Sequence, residues 1–140
     1  MRLEGKVALI TGAAIGIKGR TMGFGGAAAW MFTQEGASVV LTDVNDKSGE
    51  LTTSQIRNNG AEAMFIHHDV TREYDWDRVV SETIDKYGKL DILVNNAGTA
   101  STPNVEGLTL EMWNEQMDVH ATGTFLGTKR VIHDMRMSGG

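Results

Sequence analysis

The chain has 140 residues, 41% hydrophobic and 22% charged, which suits one soluble globular domain. Its net charge of −5, with 13 scattered Lys and Arg, argues against a nucleic-acid surface, and the lack of cysteine excludes disulfides, thiolate metal sites and a Cys nucleophile. No apolar run approaches the ~20 residues of a membrane span, and Met1 to Gly5 leads into a strand with no room for a signal peptide, so a cytoplasmic setting is expected.

Lys6 to Thr11 is short and continuously apolar, the pattern of a buried parallel strand. A glycine-dense loop follows, then a helix carrying Ala27 to Phe32 that Gly36 stops. Ser38 to Thr42 is a second strand. Asp46 to Asn58 is a polar helix with Leu51 and Ile56 as its apolar anchors, and Ala63 to His67 is a third strand. Thr71 can cap the next helix. Trp76, Val79, Val80, Thr83, Ile84 and Tyr87 recur on that helix at helical spacing and predict one buried face. Leu90 to Val94 is the fourth strand. Beyond the sole proline, Pro103, a long helix is expected from about Leu110 to Met137. Gly123 and Gly127 within it either allow close helix packing or weaken the helix.

The order β-α-β-α-β-α-β-α predicts a doubly wound parallel sheet of order 3-2-1-4. A ligand would sit at the carboxyl ends of the strands where the winding reverses, and Thr11-Gly12 and Asn95 to Gly98 both fall there. Gly23-x-Gly25-x-x-Ala28 fits a dinucleotide fingerprint with Ala in the third glycine's place. Glycines at 23 and 25 would let backbone approach a pyrophosphate, and the helix starting near Gly25 would offer it unpaired N–H groups. Asp43 ends the second strand 18 residues beyond Gly25, where an acid accepts the ribose hydroxyls. That carboxylate would repel a 2′-phosphate and favours NAD over NADP.

Strand, Thr11-Gly12, glycine loop, Asp43 and Asn95-Asn96-Ala97-Gly98, in this order, resemble the short-chain dehydrogenase/reductase family from about Lys6 to the last residue. The resemblance implies a Rossmann-type α/β domain over residues 1–140, truncated after the fourth strand and its following helix. It implies cofactor contacts at Gly12, Gly23, Phe24, Gly25, Asp43, Val44, Asp69, Val70, Asn96, Ala97 and Gly98. Asp69 would bond the adenine amine or cap the next helix, or both, while Val70 packs on the ring. Asn95 would tie strands together. The family loop has three residues between Thr-Gly and Gly-hydrophobic-Gly, so Ile15 to Thr21 reads as a seven-residue insertion whose deletion should spare binding. Lys18 and Arg20 within it either contact phosphate or form a solvated basic loop.

His67 and His68 alternate faces at the end of a strand with no ligand partner at metal-like spacing, so no metal site is expected. The family's catalytic Ser, Tyr and Lys have no counterpart here: Tyr74 precedes Arg78 by four, but on the wrong helix. His120 stands where the family has a relay Asn, and either passes a proton or packs beside the site. The chain reads as the cofactor half of an NAD(H)-dependent oxidoreductase of alcohols and ketones, a homo-oligomer when complete. Without a placed proton donor or acceptor the half alone is expected to be inactive, and because its fourth strand would lack a neighbour it is expected to aggregate, stay molten or pair with another chain. A non-catalytic dinucleotide-binding module is the alternative. A methyltransferase, suggested by Gly23-Phe24-Gly25-Gly26, is opposed by Asn95 to Gly98.

Overall fold

A computed structural model of the chain describes residues 1–100 and 103–139. Apolar runs that alternate between two covered faces make its centre. β1 (Val7–Thr11) is buried along its whole length, with Ala8 and Ile10 facing one layer and Leu9 the other. β2 (Ser38–Asp43) divides in the same way, Val39 and Leu41 against Val40. With β3 (Ala63–His67) and β4 (Ile92–Val94) they form a four-stranded parallel sheet of order β3-β2-β1-β4, the expected one. β1 pairs with β2 from Val7 with Ser38 to Thr11 with Thr42, and with β4 from Ala8 with Ile92 to Ile10 with Val94.

On one face lie α1 (Phe24–Gln34) and α2 (Asp46–Asn58), which contribute Ala29, Trp30 and Ile56 to that core. Leu51, expected as an anchor of α2, is exposed. The helix instead seats Thr52 and Thr53, and leaves Gly49 bare because the Phe65 ring fills the space of its side chain. Asn45 caps α2 by accepting from the Ser48 amide at 3.1 Å. Gly36, at φ +92°, turns the chain out of α1.

The other face is covered by α3 (Glu73–Tyr87) with the expected stripe of Trp76, Val79, Val80 and Thr83. Its N-cap is Arg72 rather than Thr71, whose amide and hydroxyl both donate to Asp69 Oδ1, at 3.0 and 2.7 Å. The expected long helical stretch runs unbroken from Leu110 to Met137, as α4 (Leu110–Met117), a π turn over Asp118–Thr122 and α5 (Gly123–Met137). The two glycines serve close packing. A β-carbon at Gly123 would lie 2.8 Å from Val70 Cγ2, and one at Gly127 would overlap the Trp76 ring. No helix among the described residues is long and apolar enough to cross a membrane.

Candidate functional site

Parallel strands in one layer order bring their carboxyl ends to one rim, and the order reverses between β1 and β4. A cleft of about 610 Å³ opens there, within the range of small-molecule sites. β1 leads to Gly12, β2 ends in Asp43 and leads to Val44, β3 leads to His68, Asp69 and Val70, and β4 leads to Asn96, Ala97, Gly98 and Thr99. Ile15, Gly23 and Phe24 form the wall from the glycine loop, and Glu115 and Val119 the opposite one. All but one of the residues expected to contact a cofactor therefore line one cleft. Gly25 does not. It is buried in the first turn of α1, where a β-carbon would lie 2.5 Å from Asn96 Nδ2 and 2.6 Å from the Gly12 carbonyl oxygen. Its bare backbone seats the helix against the loop after β4.

The rim is held by the Thr11 hydroxyl, which the motif reading passed over. It donates to the Val94 carbonyl at 3.3 Å and accepts from the Asn96 and Ala97 amides at 3.0 and 2.9 Å. Asn96 lines the cleft and also takes the strand-tying part expected of Asn95. Asn96 ties the strand ends, its Nδ2 donating to the Thr11 and Gly12 carbonyls at 2.9 and 3.0 Å, whereas Asn95 reaches Thr128 on α5 at 3.3 Å. Gly12 takes φ +64°, and a β-carbon there would lie 2.7 Å from Ala97 Cα, so only glycine meets both demands.

The Asp43 carboxylate accepts from the Ala14 amide at 3.1 Å and the Asn45 amide at 3.0 Å, which fixes it at the cleft wall with lone pairs to spare. Asp69 accepts from Thr71 and pairs with Arg72 at 3.2 Å. Burial raises its carboxyl, but the Thr71 bonds and the Arg72 charge outweigh that and hold it below the usual carboxylate range. Val70 is nearly buried, its carbonyl accepting from the Trp76 indole at 2.9 Å. Val44 and Phe24 are exposed at the cleft's edge. Among first-turn amides of α1, Phe24, Gly25 and Gly26 have no acceptor within the helix, whose first bond runs from Ala27 to the Gly23 carbonyl. A helix start with free amides, a fixed carboxylate at the next strand end and a cleft of this volume fit a dinucleotide.

His68 forms part of the floor. Its Nδ1 lies 3.0 Å from Thr42 Oγ1, its ring meets Trp76 edge to face with centroids 4.3 Å apart, and burial pushes its pKa down to about 4. The strand pattern placed it on the opposite face from His67 but carried no sign of a role. His120 lies in the π turn outside the cleft lining. Its Nε2 is 2.7 Å from the Thr99 carbonyl oxygen and 3.2 Å from the Thr99 amide, and its ring packs on Gly98, where a β-carbon would lie 2.6 Å from Cε1. Its Nε2 is thus committed to the Thr99 backbone. Lys18 and Arg20 do not line the cleft, and the Lys18 ammonium lies 4.2 Å from the Trp30 ring centroid, on the α1 and α2 side. Ile15 and Gly16, expected to be dispensable, are built into the site wall and the core beneath it.

The profile of the short chain dehydrogenase family matches residues 6–140. The chain is 39% identical over its full 140 residues to an uncharacterised oxidoreductase of Thermotoga maritima, covering 52% of that protein. It is 42% identical to a mitochondrial borneol dehydrogenase of Lavandula x intermedia over 96% of this chain and 48% of that protein. A crystal structure of a Burkholderia xenovorans protein assigned to the short-chain dehydrogenases/reductases superposes with a TM-score of 0.90 at 37% identity, over 99% of this chain and 54% of that one. The chain spans about half the length of the curated relatives it matches.

Proposed function

The chain belongs to the short-chain dehydrogenase family, and we propose that it is the cofactor-binding half of an oxidoreductase that moves hydride between NAD and the carbinol carbon of a small alcohol or ketone. The observation that carries this reading is the Asp43 carboxylate fixed at the end of β2, on the wall of the cleft at the reversal of strand order. Bound there, NAD would supply the hydride acceptor. In this reading Asp43 accepts the hydroxyls of the adenosine ribose, and Asp69 and Val70 receive the adenine. Ala97 and Gly98 let the second ribose pass close, with Asn96 holding their turn. Phosphate sits against the free amides at the start of α1. A 2′-phosphate about 4 Å from Asp43 would meet ~4 kcal/mol of repulsion per charge pair at an effective dielectric of about 20, which favours NAD.

His120 then acts by holding Gly98 and Thr99 to the π turn rather than by relaying a proton. The names of relatives support an alcohol substrate: the lavender protein is a borneol dehydrogenase, and a 36% identical Comamonas protein is a cyclopentanol dehydrogenase. No observation favours the stand-alone binding module. The exposed Leu110, Trp113 and Phe125 on α4 and α5 support self-association of the complete protein. The complete polypeptide, assayed with cyclopentanol, is expected to reduce NAD, faster than NADP at equal subsaturating concentration. Absence of turnover with either nucleotide across a panel of cyclic and acyclic secondary alcohols would overturn the reading.

A further inference from the structure

The segment between the two parts of the glycine loop, which dinucleotide binding does not explain, has a receptor built for it. Its backbone crosses directly over the first turn of α1, where Gly26 makes way. A β-carbon at Gly26 would overlap the Ile15 carbonyl and lie 2.6 Å from Gly16 Cα. Gly16 is buried and both of its backbone groups are reached by side chains of the two flanking helices. Its amide is shared between the Ala14 carbonyl at 3.1 Å and Thr52 Oγ1 at 3.2 Å, and its carbonyl accepts from the Trp30 indole at 2.7 Å. The Thr52 hydroxyl donates to the Ala14 carbonyl at 2.7 Å, so one side chain on α2 holds both sides of Ile15. Lys18 adds a bond from its amide to Gln55 Oε1 at 3.0 Å.

The crossing is closed at the other end. The Ile15 carbonyl accepts from the Gly23 amide at 2.8 Å, and Gly23 is the N-cap of α1, while the Ile15 side chain lines the cleft. The outer turn is different in kind. Gly19 has nothing near its missing β-carbon, and Arg20 is exposed.

We propose that Ile15 and Gly16 form a docked strap that sets the position of Gly23 and Phe24 at the phosphate end of the cleft. Trp30 and Thr52, neither of which lines the cleft, are then positioning residues for dinucleotide binding. The inference rests on the dinucleotide reading of the cleft. Removing the indole N–H leaves the buried Gly16 carbonyl unpaired, and removing the Thr52 hydroxyl deletes two hydrogen bonds to the crossing, so in either case the strap spends less time docked. Apparent affinity falls in proportion to the docked fraction.

The test is NADH titration of the full chain carrying Trp30→Phe, Thr52→Val or Thr52→Ser, with amide hydrogen exchange read at Gly23, whose amide is bonded to the Ile15 carbonyl. Trp30→Phe removes the indole N–H and keeps an aromatic ring, and Thr52→Ser keeps the hydroxyl. Trp30→Phe and Thr52→Val are expected to raise the NADH Kd about fivefold or more and to speed exchange at the Gly23 amide. Thr52→Ser and the outer-turn control Arg20→Ala are expected to stay within about twofold of wild type, inside the span of a surface change. A wild-type Kd in Trp30→Phe and Thr52→Val alongside a lowered melting temperature would overturn the strap's role. Failure of the wild-type chain to bind NADH would instead overturn the dinucleotide reading, and the inference with it.

Discussion

Lowering the pH below the ordinary histidine range should destabilise the fold through His68. The imidazole is 2% exposed, wedged edge to face against Trp76 and bonded through Nδ1 to Thr42, and burial lowers its pKa from 6.5 to about 4. A histidine with a depressed folded pKa is neutral in the fold while the unfolded chain already takes a proton, so unfolding gains protons as pH falls from 6.5 towards 4. At ~1.4 kcal/mol per pH unit, about 2 kcal/mol of stability is lost by pH 5 and about 3 kcal/mol by pH 4, below which both states are protonated and the loss stops growing. Urea denaturation followed by near-ultraviolet circular dichroism at pH 7, 6 and 5 measures this directly. His68→Leu supplies the comparison, since it removes the titrating group and keeps an apolar side chain beside Trp76. Wild type should lose about 2 kcal/mol more than the variant between pH 7 and pH 5. An equal loss in the two proteins would mean that His68 does not carry the pH dependence.

Gly127→Ala drives a methyl into the Trp76 ring and to 2.9 Å from Asn95 Oδ1, and should cost about 1–3 kcal/mol in urea denaturation. A neutral effect there would mean that α3 and α5 pack less closely than described. Asn96→Ala removes both bonds to the Thr11 and Gly12 carbonyls and should weaken NADH binding about tenfold, an outcome fluorescence titration reads. Asp43→Ala should narrow the preference for NAD over NADP, chiefly by improving NADP, as seen in paired Kd measurements.

The strands and their order were legible because each is an apolar run bounded by glycine or polar residues, and because both faces of the sheet are covered. Asp46 to Asn58 was legible as a helix with its observed ends: Asn45 caps one and Asn59-Gly60 closes the other. The cleft followed from strand order, which brings Asp43 and Asn96 to one rim although 53 positions separate them. What was hidden depends on contacts between distant residues. Leu51 looks like an anchor until the Phe65 ring occupies the space over Gly49 and turns the buried face towards Thr52 and Thr53. The π turn at Asp118–Thr122 leaves no periodic mark in a sequence that reads as continuous helix. The limits of the loop excursion are set by Trp30 and Thr52, 14 and 36 positions beyond Gly16, and no local pattern joins them. That Asn96 rather than Asn95 ties the strand ends is a matter of which side chain faces Gly12 and which faces α5, one step along an irregular loop.

If the cleft between the glycine loop and Asn96 to Gly98 holds a dinucleotide whose ribose hydroxyls meet Asp43, calorimetric titration of the wild-type chain with NAD and then with NADP will read it. Saturable binding of one NAD per chain, tighter than that of NADP, is the expected result. Absence of saturable binding, or tighter binding of NADP, would contradict it.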